Sequence, residues 1–351
     1  MTSLDDVRAL RRLDASDMLG TVAALPSHCR AGYETGRSAE VLPVLDGITS
    51  VVFVGMGGSA VAGDVLRSVF RDRVGVPIEV CRSAALPAYA ATHTFVIASS
   101  YSGGTAETLE AFRDAHERGC RILAVTSGGA LAAEAGERGH SMVLVPGGSQ
   151  PRAALGYLAC TTLGALERAG LLPPLADDLD ETEAELLELA GQLGPDVPTA
   201  ANAAKQIASW IEGRVPVAWG AEGIGAVAAL RWKTQLNENG KVPAWWSSMS
   251  ELDHNEVVGW VPPYGEAHAV VALRHDGEDP ALDTRFTLSA AIAADAGAAI
   301  REVRARGTSA LARLFTLIMI GDFASCYVGL AGDHDPTPVD AIVRLKAALG
   351  G

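Results

Sequence analysis

A chain of 351 residues is long enough for two domains, each with its own core. Apolar residues make up 48% and charged residues 20%, a globular composition, and the formal net charge of −14 argues against nucleic acid or an anionic membrane as partner. No apolar run approaches the roughly 18 residues of a membrane span, and residues 1–12 lack an apolar signal core, so a cytoplasmic location is expected.

Residues 1–47 read as an amphipathic helical segment without visible chemistry. From there short β-rich runs alternate with helical stretches. Residues 49–55 (TSVVFVG) form an unbroken apolar run, the mark of a strand buried on both faces. Further strands are expected at 77–81, 94–99, 121–126 and 142–145, spaced for crossover helices. Residues 175–196 are acidic and rich in Leu and Ala, and read as a solvated connecting helix bounded by prolines. A second alternation follows, with strands expected at 215–219, 268–273 and 299–303. The fold class is therefore α/β: two doubly wound domains, 48–172 and 201–351, with mainly parallel sheets flanked by helices and joined by a helix at 173–200. Cys29, Cys81, Cys120, Cys160 and Cys326 lie far apart, without a CxxC pair, and read as reduced, mostly buried thiols rather than a metal site.

Five segments could carry chemistry. Residues 55–60 (GMGGSA) turn from a strand into a helix, where glycines let the backbone approach an anion. Gly55, Gly57 and Ala60 also fit a dinucleotide fingerprint, with Glu79 placed for a ribose; a ligand-free turn is the third option. Residues 99–105 (SSYSGGT) gather hydroxyls at the carboxyl end of another strand, which suits a phosphomonoester better than a dinucleotide. Arg152, just before an apolar helix, could stabilise an oxyanion. Residues 237–256 supply Glu238 and, in a tryptophan-flanked polar stretch, His254; acid–base work requires such groups. Residues 333–339 (DHDPTPV) read as a proline-bounded turn before a helix that carries Lys346, with metal binding by Asp333, His334 and Asp335 as the lesser alternative. The remaining histidines, His334 among them, read as structural or surface residues.

Taken together and in order, GMGGSAVAGD, SSYSGGTAET, QPRAALGY, NENGK, ELDHNEVVGW and DPTPVDAIVRLK resemble the bifunctional phosphoglucose/phosphomannose isomerases, a family with tandem SIS (sugar isomerase) domains in the phosphoglucose isomerase superfamily. The resemblance spans residues 50–350. It implies two SIS-type domains and metal-independent, cofactor-free interconversion of glucose 6-phosphate or mannose 6-phosphate with fructose 6-phosphate. By the same resemblance Gly57, Gly58 and Ser59 line the substrate site, and Ser100, Ser102 and Thr105 hold the phosphate. Arg152 then stabilises the enediolate, Glu238 shuttles the proton, His254 opens the sugar ring from the partner subunit of a homodimer, and Lys346 assists near the ring oxygen. The sequence departs from the family pattern at Gly104, Gln150 and Asp253, and a non-catalytic sugar-phosphate-binding SIS protein is the alternative.

Overall fold

The computed structural model describes residues 2–348. Three helices open the chain: α1 (Val7–Leu13), α2 (Met18–Ala23) and α3 (Leu25–Arg37). They do not stay together. The chain forms two compact units, one comprising Ala24–Leu186 with Gly307–Ala312, the other everything up to Ala23, Leu187–Arg306 and the chain from Arg313 onward. The segment 1–47, expected as one N-terminal element, is thus divided after α2.

In the first unit the order is β1 (Ser50–Val54), α4 (Gly57–Phe70), β2 (Ile78–Cys81), β3 (Thr94–Ser100), α5 (Ala106–Glu117), β4 (Arg121–Thr126), α6 (Gly129–Glu137), β5 (Ser141–Leu144) and α7 (Leu155–Arg168), and α8 (Ala176–Leu193) begins in it and counts with the second unit from Leu187 on. All five strands are parallel, in the spatial order β2-β1-β3-β4-β5. Every residue of β1 and β3 is buried, which their continuous runs of Val, Phe, Ile and Ala require of strands covered on both faces. The connections from β1 and β3 lead in opposite directions across the sheet. With right-handed crossovers their helices depart on opposite faces and leave a crevice at the carboxyl ends of these two strands. Helix α8, expected as a solvated connector, instead buries Leu179, Leu186, Leu189 and Leu193 along one face.

The second unit continues with α9 (Ala203–Ile211), β6 (Val215–Ala221), α10 (Ile224–Glu238), β7 (Trp245–Met249), β8 (His268–Arg274), α11 (Ala281–Asp295), β9 (Ala299–Arg304), α12 (Ala310–Ala331) and α13 (Asp340–Ala348). Its sheet is also parallel, ordered β7-β6-β8-β9, with β7 at one edge. Strand β7 was not expected: its sequence, WWSSM, has neither a β-branched run nor a clear alternation, and it lies beside prolines and serines. Helix α12 is 22 residues of high mean hydropathy, long and apolar enough to cross a bilayer by composition, contrary to expectation; 94% of its most apolar window is buried inside the protein. The five cysteines are all buried free thiols.

Candidate active site

The crevice of the first unit gathers the hydroxyl and glycine motifs. After β1 the chain passes through Gly55 and Met56 into α4; after β3 it passes through residues 101–105 into α5. Neither Met56 nor Thr105, the residues at the two helix caps, offers its side chain to the first turn. Under that condition the first-turn amides and the positive ends of both helix dipoles can serve an anion.

The two loops are bonded to each other. The Tyr101 N–H donates to Ser59 Oγ at 3.2 Å, while the Ser100 and Thr105 hydroxyls share a hydrogen bond of 3.0 Å. Ser59 and Ser100 are buried, and Ser102, which accepts from the Gly104 N–H at 3.3 Å, is exposed at the mouth. Tyr101 anchors the loop from beneath: its hydroxyl donates to the Pro146 carbonyl at 2.9 Å and accepts from the Ser149 N–H at 3.0 Å. Gly103 has φ of 67°, and a Cβ there would overlap the Gly128 carbonyl, so the hydroxyl loop closes only with glycine at this position. Arg152 is 3% exposed, in the single turn Pro151–Ala154, and its Cα would lie 3.1 Å from a Cβ on Gly58. Glycine at 58 is what lets the arginine backbone sit against the first turn of α4.

This end of the sheet therefore brings Ser59, Ser100, Ser102 and Thr105 together with α4 and places Arg152 against that helix. Hydroxyl donors, helix amides and a guanidinium suit a phosphomonoester despite the acidic net charge. Glu79, the acid that a dinucleotide would need for its ribose, accepts a hydrogen bond of 2.6 Å from the Tyr89 hydroxyl instead. Further along α4, burial pushes the Asp64 carboxyl above its usual range, opposed by Arg82, which follows β2, and by Arg67. The pair Asp64–Arg82 fastens α4 to the end of β2.

In the second unit Glu238 is the last residue of α10. A cavity of about 570 Å³ opens there, lined by Asn237, Glu238, Lys241, His334 and Asp335 together with the start of α13. The end of α10 is fixed from below: Asn239 is fully buried, and its Nδ2 donates to Ser325 Oγ on α12 at 3.0 Å. Lys346 lies about two turns into α13, exposed, and does not line the cavity.

His254 occupies a single turn, Glu251–His254, just past β7. It is exposed and does not line the Glu238 cavity either. Asp253, one of the departures from the family pattern, binds Arg285 Nη1 at 2.9 Å and accepts from Ser289 Oγ at 2.6 Å, so it pins this turn to α11. A second cavity of about 330 Å³, lined by Trp245, Trp246, Trp260, Tyr264, His268 and Glu256 among others, flanks the same stretch. The Glu256 carboxylate is held there by Trp219 Nε1 at 2.9 Å and by the Ser247 hydroxyl.

Lys241, His334 and Asp335 stand beside Glu238 in places that their sequence neighbourhoods did not announce. The local signal was the pair of prolines at 336 and 338, which turn the chain back toward α10.

Comparison with known proteins bears on the family and the fold. Residues 200–349 match the model of the bacterial phospho-glucose isomerase C-terminal SIS domain. A bifunctional phosphoglucose/phosphomannose isomerase of Caldicellulosiruptor bescii is 38% identical over 337 residues, covering 95% of this chain and 98% of the relative. One of Thermoplasma acidophilum is 32% identical, over 93% of this chain and 99% of its own. Among solved structures, a hypothetical protein from Thermus thermophilus superposes with a TM-score of 0.72 at 18% identity, over 98% of this chain and 94% of that one, a likeness of fold.

Proposed function

This chain belongs to the bifunctional phosphoglucose/phosphomannose isomerase family, and from that premise we propose that it interconverts glucose 6-phosphate and mannose 6-phosphate with fructose 6-phosphate through an enediol. One observation carries the reading: a relative with that name matches this chain over 98% of its own length.

The roles follow the chemistry of moving a proton between C1 and C2. Ser100, Ser102 and Thr105 hold the phosphate, and Gly57, Gly58 and Ser59 line the substrate. Glu238 takes the proton beside the carbonyl and returns it to the neighbouring carbon. The electron pair released moves onto the carbonyl oxygen, and Arg152 stabilises the resulting enediolate. Lys346, exposed and outside the Glu238 cavity, is assigned to the ring oxygen by the family resemblance alone. The enediol keeps no stereochemical memory at C2, which is why one site can serve both epimers. A non-catalytic sugar-phosphate-binding protein would need the hydroxyl loop alone and is not favoured by a likeness that runs the length of named isomerases.

His254 opens the sugar ring from the partner subunit of a homodimer. Two features support this assignment: His254 is exposed and lies outside the Glu238 cavity of its own unit, and its turn stands among exposed apolar side chains, Trp245, Trp246, Val258, Val261 and Tyr264. The cytoplasm is the matching location, because charge retains phosphorylated sugars there.

A coupled assay for fructose 6-phosphate tests the proposal. Glu238→Gln should lower kcat by about 10²- to 10⁴-fold, the range for loss of a general base; retention of most activity would sink the assignment. Mixing inactive Glu238→Gln and His254→Asn subunits should restore roughly a quarter of wild-type activity, since half the random dimers carry one intact shared site. No recovery would place His254 in its own subunit's chemistry or outside it.

A further inference from the structure

Lys241 has an arrangement that its surface position does not require. Its backbone is left-handed, with φ of 57°, which folds the side chain back over the end of the helix it follows. The ammonium group lies 2.5 Å from the carbonyl of Glu238, 2.9 Å from that of Pro336 and 2.5 Å from that of Pro338. Each of these carbonyls accepts from the ammonium. One acceptor is the terminal carbonyl of α10, where the helix dipole favours a cation. The other two belong to the turn that delivers the chain into α13.

The consequence is mechanical. Helix α13 contributes no buried residue of its own and leaves Ile342, Val343 and Leu345 exposed. A nine-residue helix without a buried face has little stability from propensity alone. Its start nevertheless forms one wall of the cavity onto which Glu238 opens.

We propose that Lys241 is a positioning residue for the isomerisation: its ammonium joins the backbone of Glu238 to the 336–338 turn, and so holds the carboxylate and the α13 wall in one arrangement. The inference rests on Glu238 being the base. Its action is through the Glu238 backbone and through the turn.

The test compares Lys241→Asn and Lys241→Arg with wild type in the full chain. Asparagine tolerates the left-handed backbone, so its effect reports loss of the ammonium rather than strain. Lys241→Asn should lower kcat about 10- to 100-fold, the scale of a small misplacement of a reacting group, with KM changed by less than about threefold. Lys241→Arg, which keeps charge and donors, should recover most of the loss, and added ethylammonium should partly rescue Lys241→Asn. Amide hydrogen exchange gives a readout independent of activity: residues 339–348 should exchange faster in Lys241→Asn than in wild type. Turnover of Lys241→Asn within about twofold of wild type, unchanged exchange in α13, or global unfolding of the variant would each overturn the proposal. A wild-type enzyme without turnover, or an active Glu238→Gln, would instead strike the isomerase reading, and the exchange measurement would still decide whether Lys241 holds α13.

Discussion

The two sheets of this protein are the same in kind and opposite in how they hold chemistry. In the first unit β1 and β3 are buried from end to end, and nothing on their faces is free to act. The candidate site residues are on the loops at their carboxyl ends, which are shaped by glycines and by bonds of hydroxyls to backbone and to one another. In the second unit the edge strand β7 is partly exposed, with Trp245 at 56%. There the reactive candidates sit at a helix end and on single turns, and charged scaffolding holds them. Arg231 of α10 binds Asp322 of α12 through Nε at 3.0 Å and Nη2 at 2.7 Å, both side chains buried. Arg274 at the end of β8 binds Glu278 at 2.6 Å and Asp283 at 2.5 Å. Fully buried strands push a site onto backbone geometry, whereas a half-open sheet lets long side chains carry it.

This contrast can be broken at three points. The largest effect is expected from Arg231→Met, which strips the buried Asp322 of its guanidinium; an uncompensated buried charge should remove about 3–5 kcal/mol from the unfolding free energy, measured by urea denaturation. A loss under about 1 kcal/mol would mean that the second unit does not depend on charge for its scaffold. Next comes Gly103→Ala, where a positive φ and overlap with the Gly128 carbonyl act together. About 1–3 kcal/mol of stability should go, and KM for a hexose 6-phosphate should rise more than kcat falls, because the distorted loop is the one proposed to hold the phosphate. An unchanged KM would remove the loop from the binding site.

The smallest effect is a slope. Burial, helped by Arg313 and Arg274, pushes His275 down from 6.5 to about 4, so the folded protein holds it neutral well below the point where the unfolded chain protonates. Stability associated with the neutral ring is complete above about pH 6.5 and drains away as the pH falls through about 4. His275→Asn should therefore lose less stability than wild type across that window in thermal melts taken at successive pH values. Parallel curves would show that the ring carries no such linkage.

Much of the architecture was legible in the letters. Residues 49–55 and 94–99 announced buried strands because a strand covered on both faces can only be apolar throughout. The glycine and hydroxyl loops announced strand-to-helix turns because their residue types are dictated by local backbone geometry. The WWSSM strand did not announce itself: an edge strand open to solvent needs no run of apolar residues, and its pairing partner is β6, which precedes it by a full helix. Nor did the split after α2, because amphipathic helices carry no mark of which core they will meet.

Local chemistry thus determined the strands, the phosphate-type loops and the choice of Glu238 as a carboxylate of interest. Only the tertiary structure decided that Lys241 would join the end of α10 to a turn 95 residues further on, that Asp253 would grip α11, and that His334 would share a cavity with Glu238 while His254 would not. Such partners are set by long-range packing, and packing leaves no periodic signal in the segments that it brings together.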